Sequence, residues 1–256
     1  MQNDGHKTLS MCFDQAADFR YSEAFRTLRT NILFSGSKVR TILLTSTNPN
    51  EGKSTISMDL ARVFAESGKK TLLIDADIRK SQMVQVYNIR GKTVGLSQIL
   101  TGQIAVEDGI YSVEEVPNMD VILAGPYAPN PTELFEDEMC EKLFTYVRSL
   151  NYDIVLIDTA PIGTVIDAAI LTRYADGAVL VCEAEVTTRR LMRRAKEQLD
   201  RTGIRILGVI LNKVNMSKNG YYSSYYSSHK YDKSYGDYGY GGYGPASGNT
   251  DSGSKP

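Results

Sequence analysis

Long apolar runs are missing from this sequence of 256 residues. Nowhere do about 18 apolar residues follow one another without a charge, so no membrane-spanning helix is expected. Cysteine is scarce: Cys12, Cys140 and Cys182 stand far apart. They show no metal-ligand spacing and leave an odd one out for disulfides, which fits reduced thiols of a cytosolic protein. Excess charge is also lacking. A net charge of −1 gives no global field toward nucleic acid or an anionic membrane. Met1 to Ser10 is polar and has no apolar stretch of the secretory-leader kind. Aliphatic side chains disappear between Lys218 and Gly244, where Tyr, Gly, Ser, Asp, Lys and Asn take over. Residues 215–256 cannot bury enough surface to offset their ordering entropy, so a disordered tail is expected there.

What remains is well supplied for a core. Residues 1–20 read as a polar arm, and residues 21–214 alternate apolar runs with amphipathic stretches. The runs Arg40–Thr45, Lys70–Asp75, Asp120–Ala124, Asp153–Asp158, Ala178–Cys182 and Arg205–Leu211 are short and nearly continuous in Val, Ile and Leu. That is the signature of strands buried on both faces of a parallel sheet. Helical periodicity lies between them, over Lys53–Ser67, Thr132–Leu150, Thr164–Ala175 and Thr187–Thr202. Such alternation predicts a doubly wound α/β fold, which binds ligands at the carboxyl ends of its strands.

The first of these strand ends carries a phosphate loop. Thr41–Thr45 runs into Ser46-Thr-Asn-Pro-Asn-Glu-Gly-Lys-Ser-Thr55 and then a helix start. Backbone N–H groups of Asn50, Glu51, Gly52, Lys53, Ser54 and Thr55 would form an anion-binding concavity, strengthened by the helix dipole. Lys53 would reach the β- and γ-phosphates of ATP, and the Ser54 hydroxyl would ligate Mg²⁺. The loop departs from the G-x-x-x-x-G-K-[ST] pattern at Thr47, where the first Gly belongs, and at Asn50. Asn tolerates a left-handed backbone, so position 50 is compatible with the turn.

Two more strands end in carboxylates. Leu72-Leu-Ile-Asp75-Ala-Asp77-Ile-Arg79 puts Asp75 at a tip and Asp77 just beyond; Val155-Leu-Ile-Asp158 provides a third. Mg²⁺ asks for few protein carboxylates when phosphates and waters complete its shell. Asp158, or Asp75, suits that task. Either Asp75 or Asp77 could take the proton of an incoming hydroxyl, and Arg79 could stabilise transition-state charge. A lone strand-ending Asp is usually a cap or turn residue; three beside one phosphate loop point to phosphoryl chemistry. Asn212, after the last strand, could bond a nucleotide base or serve the turn.

Taken together, residues 20–243 resemble the bacterial tyrosine kinases of capsule and exopolysaccharide synthesis. Asn50-Glu-Gly-Lys-Ser-Thr55 resembles the family's Walker A loop, Asp75-Ala-Asp77-Ile-Arg79 its second acidic motif, and Asp158-Thr-Ala-Pro161 its Walker B. Glu23-Ala-Phe-Arg26-Thr-Leu-Arg29 is similar to a helix through which members assemble into rings; spacing alone would give only i,i+3 pairing on a solvated face. Pro129-Asn-Pro-Thr-Glu-Leu134 and Gly95-Leu-Ser-Gln-Ile-Leu100 also resemble family segments. Ser81 departs, standing where Pro often follows the Arg-Lys pair. The resemblance implies an ATP- and Mg²⁺-dependent P-loop kinase that regulates polysaccharide synthesis. It further implies a homo-oligomeric ring and a cognate tyrosine phosphatase. Without a membrane segment, it implies the separate cytoplasmic layout, recruited to the inner membrane face by a transmembrane adaptor.

The tail fits that reading. Nine of sixteen tyrosines, Tyr221, Tyr222, Tyr225, Tyr226, Tyr231, Tyr235, Tyr238, Tyr240 and Tyr243, lie there without helix or strand period. They are expected to be phosphorylated in trans inside a ring. Each phosphate would add about −1.5 to −2 charges. Tyr/Gly-rich tails can also be adhesive or partner-binding arms. Arg189, Arg190, Arg193, Arg194 and Lys196 read as a solvated or ring-facing helix side rather than a nucleic-acid site. Two rival functions share the fold: an ATP-driven positioning or partitioning ATPase, and an ATP-binding ring scaffold with little catalysis. The positioning enzymes carry a signature lysine near the loop start, where this chain has Asn48.

Overall fold

The computed structural model describes residues 7–13 and 19–215. The nine tail tyrosines lie outside the described residues. Among the described residues, eight strands form one sheet: β1 (Lys7–Leu9), β2 (Thr41–Ser46), β3 (Thr71–Asp75), β4 (Ile110–Val113), β5 (Met119–Ile122), β6 (Ile154–Asp158), β7 (Gly177–Glu183) and β8 (Ile206–Asn212). Their order is β1-β4-β5-β3-β6-β2-β7-β8, and every pairing is parallel except β4 with β5. All of β3 and β6 is buried, as is β2 beyond its first residue, which explains their unbroken apolar character.

Among the described residues, eight helices cover the sheet: α1 (Phe19–Phe34), α2 (Lys53–Glu66), α3 (Met83–Val86), α4 (Leu96–Leu100), α5 (Pro131–Glu136), α6 (Glu138–Ser149), α7 (Asp167–Leu171) and α8 (Arg189–Arg201). One core layer, with Leu43, Leu72, Ile157, Phe135, Leu143 and Leu199, lies on the face under α4, α6 and α8. The other, with Ile42, Leu44, Leu73, Leu156, Phe25 and Phe64, lies under α1 and α2. Alternate residues of each strand thus feed opposite layers, as a strand's period of two requires.

The sheet corrects several expectations. The stretch expected as an arm contains β1, an edge strand paired with β4, and the start of α1. Both β1 and β4 are too short to show a sequence period. The helix expected over 132–150 is two helices, because Asp137 is extended (φ −70°, ψ 155°) and its side chain accepts the Met139 N–H at 2.9 Å. An Asp in this role caps the second helix and breaks the first. The helix expected over 164–175 shrinks to α7 and a following 3₁₀ turn over Thr172–Tyr174. Residues 160–166 form a loop at the sheet's carboxyl edge instead.

Candidate active site

Adjacency in the sheet assembles the site. β3, β6 and β2 are neighbours, and register sets Asp75 beside Asp158 and Asp158 beside Leu44. The phosphate loop leaves the end of β2, so both acidic tips and the loop meet at one edge. A cleft of about 390 Å³ opens there, lined by Lys53, Ser54, Asp77, Arg79, Tyr87 and Pro161 among others.

Loop shape rests on two left-handed residues, Asn50 (φ 66°) and Gly52 (φ 83°). At Gly52 a Cβ would fall 2.2 Å from Asn212 Nδ2, so both the backbone and the space exclude a side chain. Between them Glu51 turns inward and is buried. Its carboxylate accepts from Thr47 N (2.8 Å), Asn48 N (3.0 Å), Thr47 Oγ1 and Thr187 Oγ1. Burial alone would raise its pKa. The hydrogen bonds from Thr187, Thr47 and Asn48 outweigh that and hold it below the ordinary carboxylate range. Glu51 is therefore the internal brace of the loop, with its backbone rather than its carboxylate left for ligand. Thr47, in place of the first Gly, supplies two of the bonds to that brace.

Asn212 Nδ2 donates to Glu51 O at 2.9 Å, which ties the end of β8 to the loop. Lys213 donates to Asn50 O at 2.7 Å. A further close approach comes from the loop after β6, where a Cβ at Gly163 would sit 2.0 Å from Thr47 O.

Lys53 and Asp158 form a buried ion pair, Nζ to Oδ1 at 2.7 Å, with side chains 6% and 0% exposed. Lys53 Nζ also donates to Ser54 Oγ (3.2 Å), and Ser57 Oγ donates to Asp158 Oδ1 (2.8 Å). Asp158 Oδ2 is buried without a partner among the described residues. Asp75, fully buried beside it, has its pKa pushed up to about 7 by burial and by the Asp158 charge. Ser81 Oγ donates to Asp75 Oδ2, and the Asp77 N–H donates to Asp75 Oδ1 at 3.2 Å. An orphaned carboxylate oxygen, a second buried carboxylate and a nearby serine hydroxyl form an all-oxygen donor set that fits Mg²⁺.

Asp77 differs from Asp75. It is only half-buried, lines the cleft, and caps the Lys80 N–H at 3.0 Å. Arg79 also lines the cleft but is held sideways: Nε lies 2.6 Å from Asp167 Oδ2, and Nη2 lies 2.9 Å from both Asp167 Oδ1 and Thr132 Oγ1. Asp167, Ser57 and Thr187 have no distinguishing pattern in sequence, while Thr132 falls inside the Pro129–Leu134 segment that resembles the family. Away from the site, Glu23 and Arg26 pair at 2.6 Å on exposed α1, and Arg29 donates to Val63 O of α2 at 3.2 Å. Arg189, Arg190, Arg193 and Arg194 are exposed on α8. Among the described residues, no helix is long and apolar enough to cross a membrane.

Comparisons with known proteins show the family. A family model described as an AAA domain matches residues 39–193. The chain is 40% identical over 210 residues to the tyrosine-protein kinase CpsD of Streptococcus pneumoniae, covering 81% of this chain and 92% of that protein. It superposes on the kinase domain of the Escherichia coli tyrosine kinase ETK with a TM-score of 0.74 and 30% identity, covering 84% of each chain. It superposes on the septum site-determining protein MinD complexed with Mg-ADP, from Pyrococcus horikoshii, with a TM-score of 0.60 and 24% identity over 70% of this chain and 72% of that one. That last likeness is one of fold.

Proposed function

The chain belongs to the bacterial tyrosine kinases of the AAA-domain P-loop family, and we propose that it transfers the γ-phosphoryl group of ATP to the tyrosines of its own tail, in trans. It is an enzyme, a protein tyrosine kinase. The single observation that carries the phosphoryl-transfer reading is the meeting of Lys53, Asp158, Asp75 and Asp77 at the carboxyl ends of three neighbouring strands and in the segments that follow them.

In this reading the loop amides of residues 50–55 and Lys53 hold the β- and γ-phosphates. Ser54, Asp158 and Asp75 would hold Mg²⁺, which when bound neutralises charge on the phosphates. Binding draws the Lys53 ammonium away from Asp158. Asp77 takes the acceptor proton: it faces the cleft, whereas Asp75 sits behind it, engaged by Ser81 and the Asp77 N–H. A general base has to reach the hydroxyl it deprotonates, and position decides here before pKa does.

The wider setting follows from the family resemblance. We place the kinase in regulation of capsular or exopolysaccharide synthesis. A transmembrane adaptor recruits it to the inner face of the membrane, a cognate phosphatase opposes it, and copies assemble into a ring through α1. The positioning-ATPase alternative is not favoured, since its relatives share the fold at 24% identity and the chain has Asn48 where they carry lysine. The test is intact-mass spectrometry before and after incubation with ATP and Mg²⁺, then peptide mapping of residues 217–256. Phosphate mass on the tail tyrosines, absent in Lys53→Met, is the expected result. No addition, even with an adaptor's cytoplasmic segment present, would discard autokinase activity.

A further inference from the structure

Arginine presents five N–H donors in a rigid planar fork. In Arg79, one edge of that fork is already in use. Nε and Nη2 engage both oxygens of Asp167, and Nη2 also meets Thr132 Oγ1. Thr132 Oγ1 lies 3.1 Å from the same carboxylate. Nη1 has no partner among the described residues, on a side chain that lines the cleft with Lys53, Ser54 and Asp77. Asp167 is 1% exposed, and Arg79 and Thr132 supply its side-chain hydrogen bonds. A buried carboxylate of this kind is tolerable only because the guanidinium neutralises it.

We infer that Asp167, with Thr132, is a positioning residue that clamps one edge of the Arg79 guanidinium and leaves its Nη1 amino group facing the terminal phosphoryl group of the bound nucleotide. The inference rests on the nucleotide reading of the cleft. Its physical content is preorganisation. A free arginine on the loop after β3 would have to be ordered each time it met a phosphate. One fixed from α5 and α7 is ordered beforehand. The clamp also explains why three separate segments, at Arg79, Thr132 and Asp167, converge beside the cleft. A merely structural tie between loops would need no unengaged donor on an arginine that lines the cleft.

The two explanations separate in binding. The full chain is titrated with ADP and with a non-hydrolysable ATP analogue, both in Mg²⁺. Wild type is compared with Arg79→Ala, Asp167→Asn, Thr132→Val and the double variant Arg79→Ala/Asp167→Asn. Wild type should prefer the triphosphate. Arg79→Ala and Asp167→Asn should each shrink that preference about tenfold, the size of one charge-assisted hydrogen bond, with ADP affinity held. The double variant should be no worse than Arg79→Ala. Thr132→Val keeps the carboxylate and covers the case in which Asp167→Asn fails to fold; it should shrink the preference in the same direction by less. Loss of ADP and triphosphate affinity in step, additive effects in the double variant, or no triphosphate preference in wild type would each overturn the clamp. Tail phosphorylation of wild type is read separately, so failure of the kinase reading leaves a different trace.

Discussion

Lys53 Nζ lies 2.7 Å from Asp158 Oδ1, so in the absence of nucleotide the phosphate-loop cation neutralises the Walker B carboxylate. Both groups are buried, and Asp75 adds a second carboxyl alongside. The site therefore holds more potential negative charge than positive, which under the proposed function would suit a divalent cation and a move of the lysine toward phosphates.

Lys53→Met should abolish phosphorylation, but it also strips Asp158 of its only counter-ion among the described residues. Breaking a buried pair from one side costs about 3–5 kcal/mol. Thermal unfolding of the nucleotide-free variant should fall well below wild type, and Lys53→Met/Asp158→Asn should recover much of the loss. An unchanged melting temperature in Lys53→Met would mean that the pair contributes little.

The Asp75 carboxyl gives a pH signature. Its pKa moves from the ordinary 3.8 up to about 7, through burial first and the Asp158 charge second. Because the folded value is the higher one, the contribution of this group to stability is greatest at low pH and is lost as pH rises from about 4 through about 7. Asp75→Asn removes that penalty. At pH 8 the nucleotide-free variant should be more stable than wild type, by on the order of 1–4 kcal/mol. The gap should close toward pH 4, while phosphotransfer is lost. Calorimetry across that range decides it; a pH-independent difference would contradict the assignment.

The loop offers a steric test. Gly52→Ala meets Asn212 Nδ2 and a left-handed backbone at once. The backbone alone costs roughly 1–2 kcal/mol for a residue with a Cβ. Gly52→Ala should lose nucleotide binding and stability together. Adding Asn212→Ala removes the clash but not the backbone cost, so recovery should be partial. Complete rescue in a fluorescent-ADP titration would show that the left-handed turn does not matter.

Much of this site was legible in the sequence, and the reasons for the rest are physical. Asp75, Asp77 and Asp158 could be placed because a buried parallel strand ending in Asp announces its own tip, and the structure aligns Asp75 with Asp158. Asn50 was readable because few residues tolerate its φ of 66°. Glu51 was not: nothing local says that its carboxylate folds back onto Thr47 and Thr187 instead of facing the ligand. Asp167 was missed because its partner Arg79 lies far off in sequence, and Asp137 because an N-cap inside an amphipathic run leaves the apolar period intact.

Assembly is the last expectation open to test. Glu23 and Arg26 satisfy each other on exposed α1, while Arg29 is spent on the Val63 carbonyl of its own α2. An exposed i,i+3 pair stabilises a helix by only about 0.2–0.5 kcal/mol, so its partners are cheap to exchange. A neighbouring copy can therefore recruit Glu23 and Arg26 at little cost, whereas Arg29 would have to leave a backbone acceptor. Glu23→Ala/Arg26→Ala should reduce the assembly size measured by light scattering and slow phosphorylation in trans, with ADP affinity unchanged. Arg29→Ala should instead lower the melting temperature modestly. In wild type, phosphorylated tails carry about −1.5 to −2 charges per site and should drive copies apart by repulsion. If size is unaffected both by the double substitution and by complete tail phosphorylation, α1 is not the ring contact, and its charged pair serves only the helix that carries it.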